Sequence, residues 1–226
     1  MKQTNNAIKF LMAQYRAIYQ SAYLKGLTSA IIVTASLAAP QAQAATTNLD
    51  QATSGGTINI SQDSDALQLT TPTTKDDLPF TVKISTSKNA DNKVEGVTVS
   101  ANKATFEING SSDTQFKVAA STGAGGGTSA AGSLTIGTLD VKKGSVTVEA
   151  NGANAATLAA SQINVGNGSQ IIVAGTNNPS AASTIGDTST KYNLEYGSTI
   201  SLGPSGAMLG QDVVSTGGKI VLSGGS

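Results

Sequence analysis

The chain contains no cysteine, no histidine and no tryptophan. Its one arginine, Arg16, lies near the start. Without cysteine it has no disulfides, no cysteine–zinc site and no lipid anchor on an N-terminal cysteine. Without histidine, Ser-His-Asp and Cys-His catalysis and histidine metal centres are excluded. Aromatic residues make up 4% of the chain, and after position 45 only Phe80, Phe106, Phe116, Tyr192 and Tyr196 remain. Charged residues are 12%, about half the share of an ordinary globular domain. A chain so equipped must be held by hydrogen bonding and a core of aliphatic residues. Long β-ladders provide both.

Acidic residues are missing from the start. Lys2, Lys9, Arg16 and Lys25 are the only charges before position 50. The other ten basic residues and all fourteen acids follow, leaving that part at −4. A weakly acidic surface has no electrostatic footprint for nucleic acid or anionic lipid.

Residues 26–39, GLTSAIIVTASLAA, form an uncharged apolar run behind Lys25, closed by Pro40. A bilayer span needs ~20 apolar residues, so this run is too short to cross. Ala42-Gln43-Ala44 places small residues where a signal peptidase requires them, with cleavage expected before Ala45. Residues 1–44 therefore read as a secretion signal. Its basic region, residues 1–25, is long and carries Ile8, Leu11, Tyr15, Ile18, Tyr19 and Ala22 at helical spacing, which predicts a signal helix.

Beyond the signal, period-two alternation replaces helical period. Thr57–Ile60, Val82–Ile84, Val97–Val99, Thr105–Ile108, Leu134–Ile136, Val146–Val148, Ile200–Leu202 and Lys219–Leu222 all read as short strands. Gly, Asn, Asp and Ser separate them. The fold class is all-β. A longer unit also recurs. Ile163-Asn-Val165-Gly-Asn-Gly168-Ser169-Gln-Ile171-Ile-Val173 aligns with Tyr192-Asn-Leu194-Glu-Tyr-Gly197-Ser198-Thr-Ile200-Ser-Leu202 over eleven positions. Leu139-Asp-Val141-Lys-Lys-Gly144-Ser145-Val146-Thr-Val148 is the same unit with one residue fewer. Gly217-Gly218-Lys219-Ile220-Val221-Leu222, and Gly55-Gly56-Thr57-Ile58-Asn59-Ile60 far upstream, read as its second half. Glycines 144, 168, 197 and 217 lie 24, 29 and 20 residues apart, the period of a solenoid rung. The competing fold is a β-sandwich with similar hairpins.

The expected organisation is a signal peptide at 1–44, a more charged β region at 45–120, and a Gly/Ser/Ala-rich linker or loop at 121–132. Solenoid rungs follow at 133–226. The glycines of 121–132 lack the lysine and the following helix of a phosphate-binding loop.

The units INVGNGSQIIV and YNLEYGSTISL, GGTINI near the expected mature start, and the long leader resemble the passenger segments of bacterial autotransporter and filamentous-haemagglutinin adhesins. The resemblance implies a right-handed β-helix exposed at the outer surface of a Gram-negative cell, or released from it. There it would act in attachment or biofilm. The partners expected are a host surface, polysaccharide or other copies through strand edges. Such proteins run on into a membrane β-barrel that is not seen here, so the chain is expected to be the N-terminal piece of a longer one.

The alternatives are a self-assembling fibre or surface-layer subunit, and a secreted glycan-active enzyme using paired carboxylates. Asp63-Ser64-Asp65 is the better pair, since alternate residues on a strand share a face, where they could also hold Ca²⁺. Asp76 and Asp77 are adjacent and would point to opposite faces. Neither pair sits in a recognised motif, so both read as solvated turns, and no catalytic, cofactor or metal residue is assigned. Tyr192 fills an apolar slot of the repeat and is expected in the core. Tyr196 sits at a variable position and is expected to be exposed.

Overall fold

The computed structural model describes residues 46–87, 91–121, 129–175 and 181–223. The signal segment, with Ala42, Ala44 and Ala45, lies outside the described residues. So do 122–128, most of the Gly-rich stretch.

Among the described residues strands account for nearly all regular structure, the exception being a 3-10 turn at Leu49–Gln51. They form two sheets in which neighbouring strands are parallel. One sheet runs Thr46–Thr47, Ala66–Leu69, Lys93–Glu95, Gln115–Ala119, Ser145–Ala150, Gln170–Gly175, Thr199–Leu202 and Lys219–Leu222. Strands adjacent in the sheet are thus one turn apart in the chain. This is a β-solenoid of the right-handed type with about 6 turns.

The second sheet has ten strands, several of them in two segments. Thr98–Asn109 pairs with Gly132–Lys143 through Val99↔Leu134 and Ala101↔Ile136, then through Phe106↔Leu139 and Ile108↔Val141. The irregularity between Ala101 and Thr105 changes the parity of the inward residues. The strand therefore turns a corner there, and each such turn carries three runs of inward side chains.

Register aligns these side chains into columns. One column is Ile58, Val82, Phe106, Leu139, Ile163, Tyr192 and Val213. Another is Phe116, Val146, Ile171, Ile200 and Ile220. The aligned sequence units thus stack in the register that their alignment gives. At the corner Gly166-Asn167-Gly168-Ser169, Ser169 N donates to Gly166 O at 3.0 Å and Gly168 holds φ +71°, which glycine adopts without strain.

One expectation is corrected. Thr57–Ile60 belongs to the ten-stranded sheet, whereas the strands that follow Gly144, Gly168, Gly197 and Gly217 all lie in the other. GGTINI is therefore not the second half of the repeat; a corner glycine precedes strands on more than one wall. Whether the region before residue 120 joins the rungs after 133 was open in the sequence, and both sheets pass between them without interruption. The β region at 45–120 is the first part of the same solenoid. Residues 62–64 form a turn and the strand begins at Ala66, so Asp63 and Asp65 sit in a turn, as their reading as solvated turns expects.

Buried polar side chains stitch turns together where the ladders are short. Leu67 N donates to Asn92 Oδ1 at 2.9 Å, and Asn92 Nδ2 donates to Gln115 O at 3.3 Å. One buried asparagine thereby ties three turns across the short strand Lys93–Glu95. Thr190 Oγ1 donates to Ala160 O at 2.6 Å in the same manner. Each hydroxyl or amide is satisfied by the backbone of an adjacent turn, which removes the cost of burying it.

Candidate functional site

The outward residues also form columns, and these make the walls. On the ten-stranded sheet one column reads Asn59, Lys83, Glu107, Asp140, Asn164, Asn193 and Val214. Neighbours stand one strand apart, about 4.8 Å, so their side chains interact in pairs. Lys142 Nζ lies 2.8 Å from Glu107 Oε2 and 3.6 Å from Asp140 Oδ2. One lysine thus holds two carboxylates from consecutive turns. Further along, Asn193 Nδ2 donates to Asn164 Oδ1 at 2.7 Å, and Gln162 Nε2 donates to the same oxygen at 2.9 Å.

The eight-stranded wall carries Gln68, Lys93, Lys117, Thr147, Ile172, Ser201 and Val221 in its middle column. Lys93 and Lys117 are direct neighbours, which would repel. Each has its own acid: Lys93 binds Asp91 at 3.0 Å and Glu95 at 2.8 Å, and Lys117 binds Glu149. The hydrogen bond that Lys93 donates to Glu95 is the main reason its ammonium is held above its usual range.

Glu107 and Asp140 respond oppositely to their shared position. The hydrogen bond from Lys142 holds Glu107 below the usual carboxylate range. Partial burial pushes Asp140 above it, with Glu107 and Glu195 adding to the rise. Glu107 thus contributes stability at pH values above its unfolded range, lost as pH falls through its lowered value. Asp140 contributes in the other sense: its stabilisation is present below its unfolded range and is lost as pH rises through its raised value. Glu107→Gln should therefore melt below the unmodified chain at neutral pH and converge with it in acid. Asp140→Asn should melt no lower at neutral pH. Thermal melts followed by circular dichroism from acid to neutral pH read both. Parallel behaviour of the two variants would contradict the assignment.

Of the four carboxylates singled out in the sequence, Asp63 and Asp76 brace adjacent turns. Asp63 accepts hydrogen bonds from Ser87 N and Ser87 Oγ, both at 2.6 Å, across one turn. Asp76 accepts from Ser100 Oγ at 2.6 Å and from Asn102 N at 3.1 Å, which lowers its pKa. Asp65 receives Ser64 Oγ at 3.5 Å within its own turn. Asp77 lies exposed in the turn beside Asp76. Among the described residues no group of three or more acids could hold a metal ion.

Tyr192 is fully buried, and its hydroxyl sits 2.9 Å from Ile185 O and 2.7 Å from Leu209 O. Burial raises its ionisation well above the ordinary phenol value. Tyr196 is 73% exposed. The Lys142–Glu107–Asp140 ladder escaped the sequence reading, although its signal is present. Glu107 lies between Phe106 and Ile108 as Asp140 lies between Leu139 and Val141, so equating those slots would have placed the carboxylates together.

No protein-family model, no curated protein and no solved structure matches the chain.

Proposed function

We propose that the chain is an exported β-solenoid scaffold of the adhesin-like kind, displayed at the cell surface or outer membrane or released from it. It acts in attachment or biofilm, on a host surface or a polysaccharide. The observation that carries this reading is the pair of walls, whose outward columns repeat polar chemistry at each turn along two unbroken parallel sheets. A ligand with a repeating surface meets similar amide, hydroxyl and ion-paired groups turn after turn. Such a wall binds through area.

Three further features support the reading. The first 44 residues have the charge, length and Ala-Gln-Ala ending of a secretion signal. The chain has no histidine or cysteine for Ser-His-Asp or Cys-His catalysis, and Asp63 and Asp76, considered for glycoside hydrolysis, brace turns. The repeat units resemble those of autotransporter and haemagglutinin-like passenger segments.

Fractionation tests it. An antibody raised against residues 133–226 should detect a product outside the cytoplasm whose N-terminus is Ala45 and which surface protease removes from intact cells. A cytoplasmic product with an intact leader would overturn the proposal.

A further inference from the structure

Asparagine is a chemically labile residue, and most so when glycine follows it. The backbone nitrogen of the glycine attacks the carbonyl carbon of the asparagine side chain. Glycine leaves that path clear because it has no side chain of its own. The sequence holds three such pairs: Asn109-Gly110, Asn151-Gly152 and Asn167-Gly168. In an unfolded chain the three are chemically alike. The fold separates them.

Attack requires the glycine nitrogen to give up its proton and swing toward the side chain. A nitrogen that donates a backbone hydrogen bond is held back on both counts. Gly110 N donates to Lys143 O at 3.2 Å, which ties it to the next turn. Gly110 is also wedged, since a Cβ on it would collide with Thr86 O and Thr114 Oγ1. Asn151 N donates to Asn154 O and Asn154 N to Asn151 O, both at 3.0 Å. Gly152 lies inside that closed turn and is itself engaged. Gly168 differs. It stands at the corner between the strands Ala156–Val165 and Gln170–Gly175, and a Cβ on it would meet nothing within 4 Å. Its N–H donates no hydrogen bond among the described residues. Asn167 is exposed, so water reaches its side chain. The corner is fastened around this pair instead: Ser169 N donates to Gly166 O at 3.0 Å, and Asn167 N to Glu195 Oε2 at 3.2 Å.

We propose that Asn167-Gly168 is a self-modifying site, at which Asn167 becomes aspartate or isoaspartate in the folded protein while Asn109 and Asn151 keep their amides. Gly168 N loses its proton to water and bonds to Asn167 Cγ. The bond from Cγ to the side-chain nitrogen breaks, and that nitrogen leaves as ammonia. Water then opens the resulting five-membered imide at one of its two carbonyls. Opening at the side-chain carbonyl gives aspartate with the ordinary backbone. Opening at the main-chain carbonyl gives isoaspartate, whose backbone runs through the former side chain. Water is the only co-reactant, and nothing is oxidised or reduced. Either product sets a new carboxylate beside Glu195 of the next turn, where like charges repel. Isoaspartate also lengthens the backbone by one methylene inside the turn that Ser169 N and Gly166 O close. The inference is independent of export and attachment, so neither stands or falls with it.

The test is peptide mapping by tandem mass spectrometry of the full chain aged at mildly alkaline pH, once folded and once in urea. In the folded chain Asn167 should convert at least about tenfold faster than Asn109 or Asn151. In urea the three should convert at similar rates, because only the fold distinguishes them. An isoaspartyl methyltransferase should label the aged folded chain at residue 167. Gly168→Ala places a side chain beside the attacking nitrogen and should slow conversion at Asn167 several-fold, with melting to confirm that the variant folds. Asn109 or Asn151 converting as fast as Asn167 in the folded chain would overturn the proposal. So would an Asn167 that keeps its amide in the folded chain while converting in urea, or one that converts as fast in the Gly168→Ala variant.

Discussion

Gly132→Ala is expected to destabilise the solenoid by more than about 3 kcal/mol, as an overpacked core does when it cannot relax. Gly132 opens the strand Gly132–Lys143 and is buried. An added Cβ would fall on the carbonyl oxygen of Ala119 and lie 2.6 Å from Ala119 C and 3.3 Å from Ala120 N. These are backbone atoms, so no rotamer change relieves the clash. The strand cannot shift, because it is paired in register with Thr98–Asn109 on one side and Ala156–Val165 on the other. Moving it would break two ladders. Gly168→Ala is the matched control. Its Cβ would meet nothing within 4 Å, and its φ of +71° adds only the left-handed penalty, roughly 1–2 kcal/mol. Urea denaturation followed by circular dichroism separates the two. Equal losses would show that close backbone approach at Gly132 is not what fixes that position.

That glycine also marks how far the sequence could be read. The units around Ile163, Tyr192 and Leu139 were legible because stacking demands the same side-chain class at the same depth, turn after turn. Their alignment therefore is the register. The third run of strands was not legible. It joins the next run through residues 102–104 with only a change of inward parity, and period-two alternation looks the same on every wall. GGTINI misled for the same reason, since a glycine corner followed by alternation serves more than one wall. The unequal repeat spacing follows from residues added between strands whose columns stay stacked: partners are 24 residues apart at Thr138↔Gln162 and 29 apart at Gln162↔Lys191. The carboxylates divided likewise. Asp63 and Asp76 stood out because each lies near another acid in the chain, yet each bonds to a residue one turn away. Glu107 and Asp140, distant in the chain, are neighbours because a turn brings them side by side.

Phe106→Ala should cost about 3–5 kcal/mol, the range for removing a fully buried aromatic ring. Phe106 is 0% exposed, stacks between Val82 and Leu139, and meets Phe116 of the other sheet at 5.7 Å between ring centroids, inclined 48°. It therefore links turns along its own sheet and joins the two sheets across the core. The comparison that gives this loss its meaning lies in the same column. Val82→Ala and Val213→Ala delete the same atoms from positions that differ in how much of the coil surrounds them. Val82 is fully buried, while Val213 is 45% exposed in the last described rung. If burial by neighbouring turns supplies the stability, Val82→Ala should cost about 2 kcal/mol and Val213→Ala well under half as much. Equal costs would mean that burial by neighbouring turns is not what supplies the stability of this column.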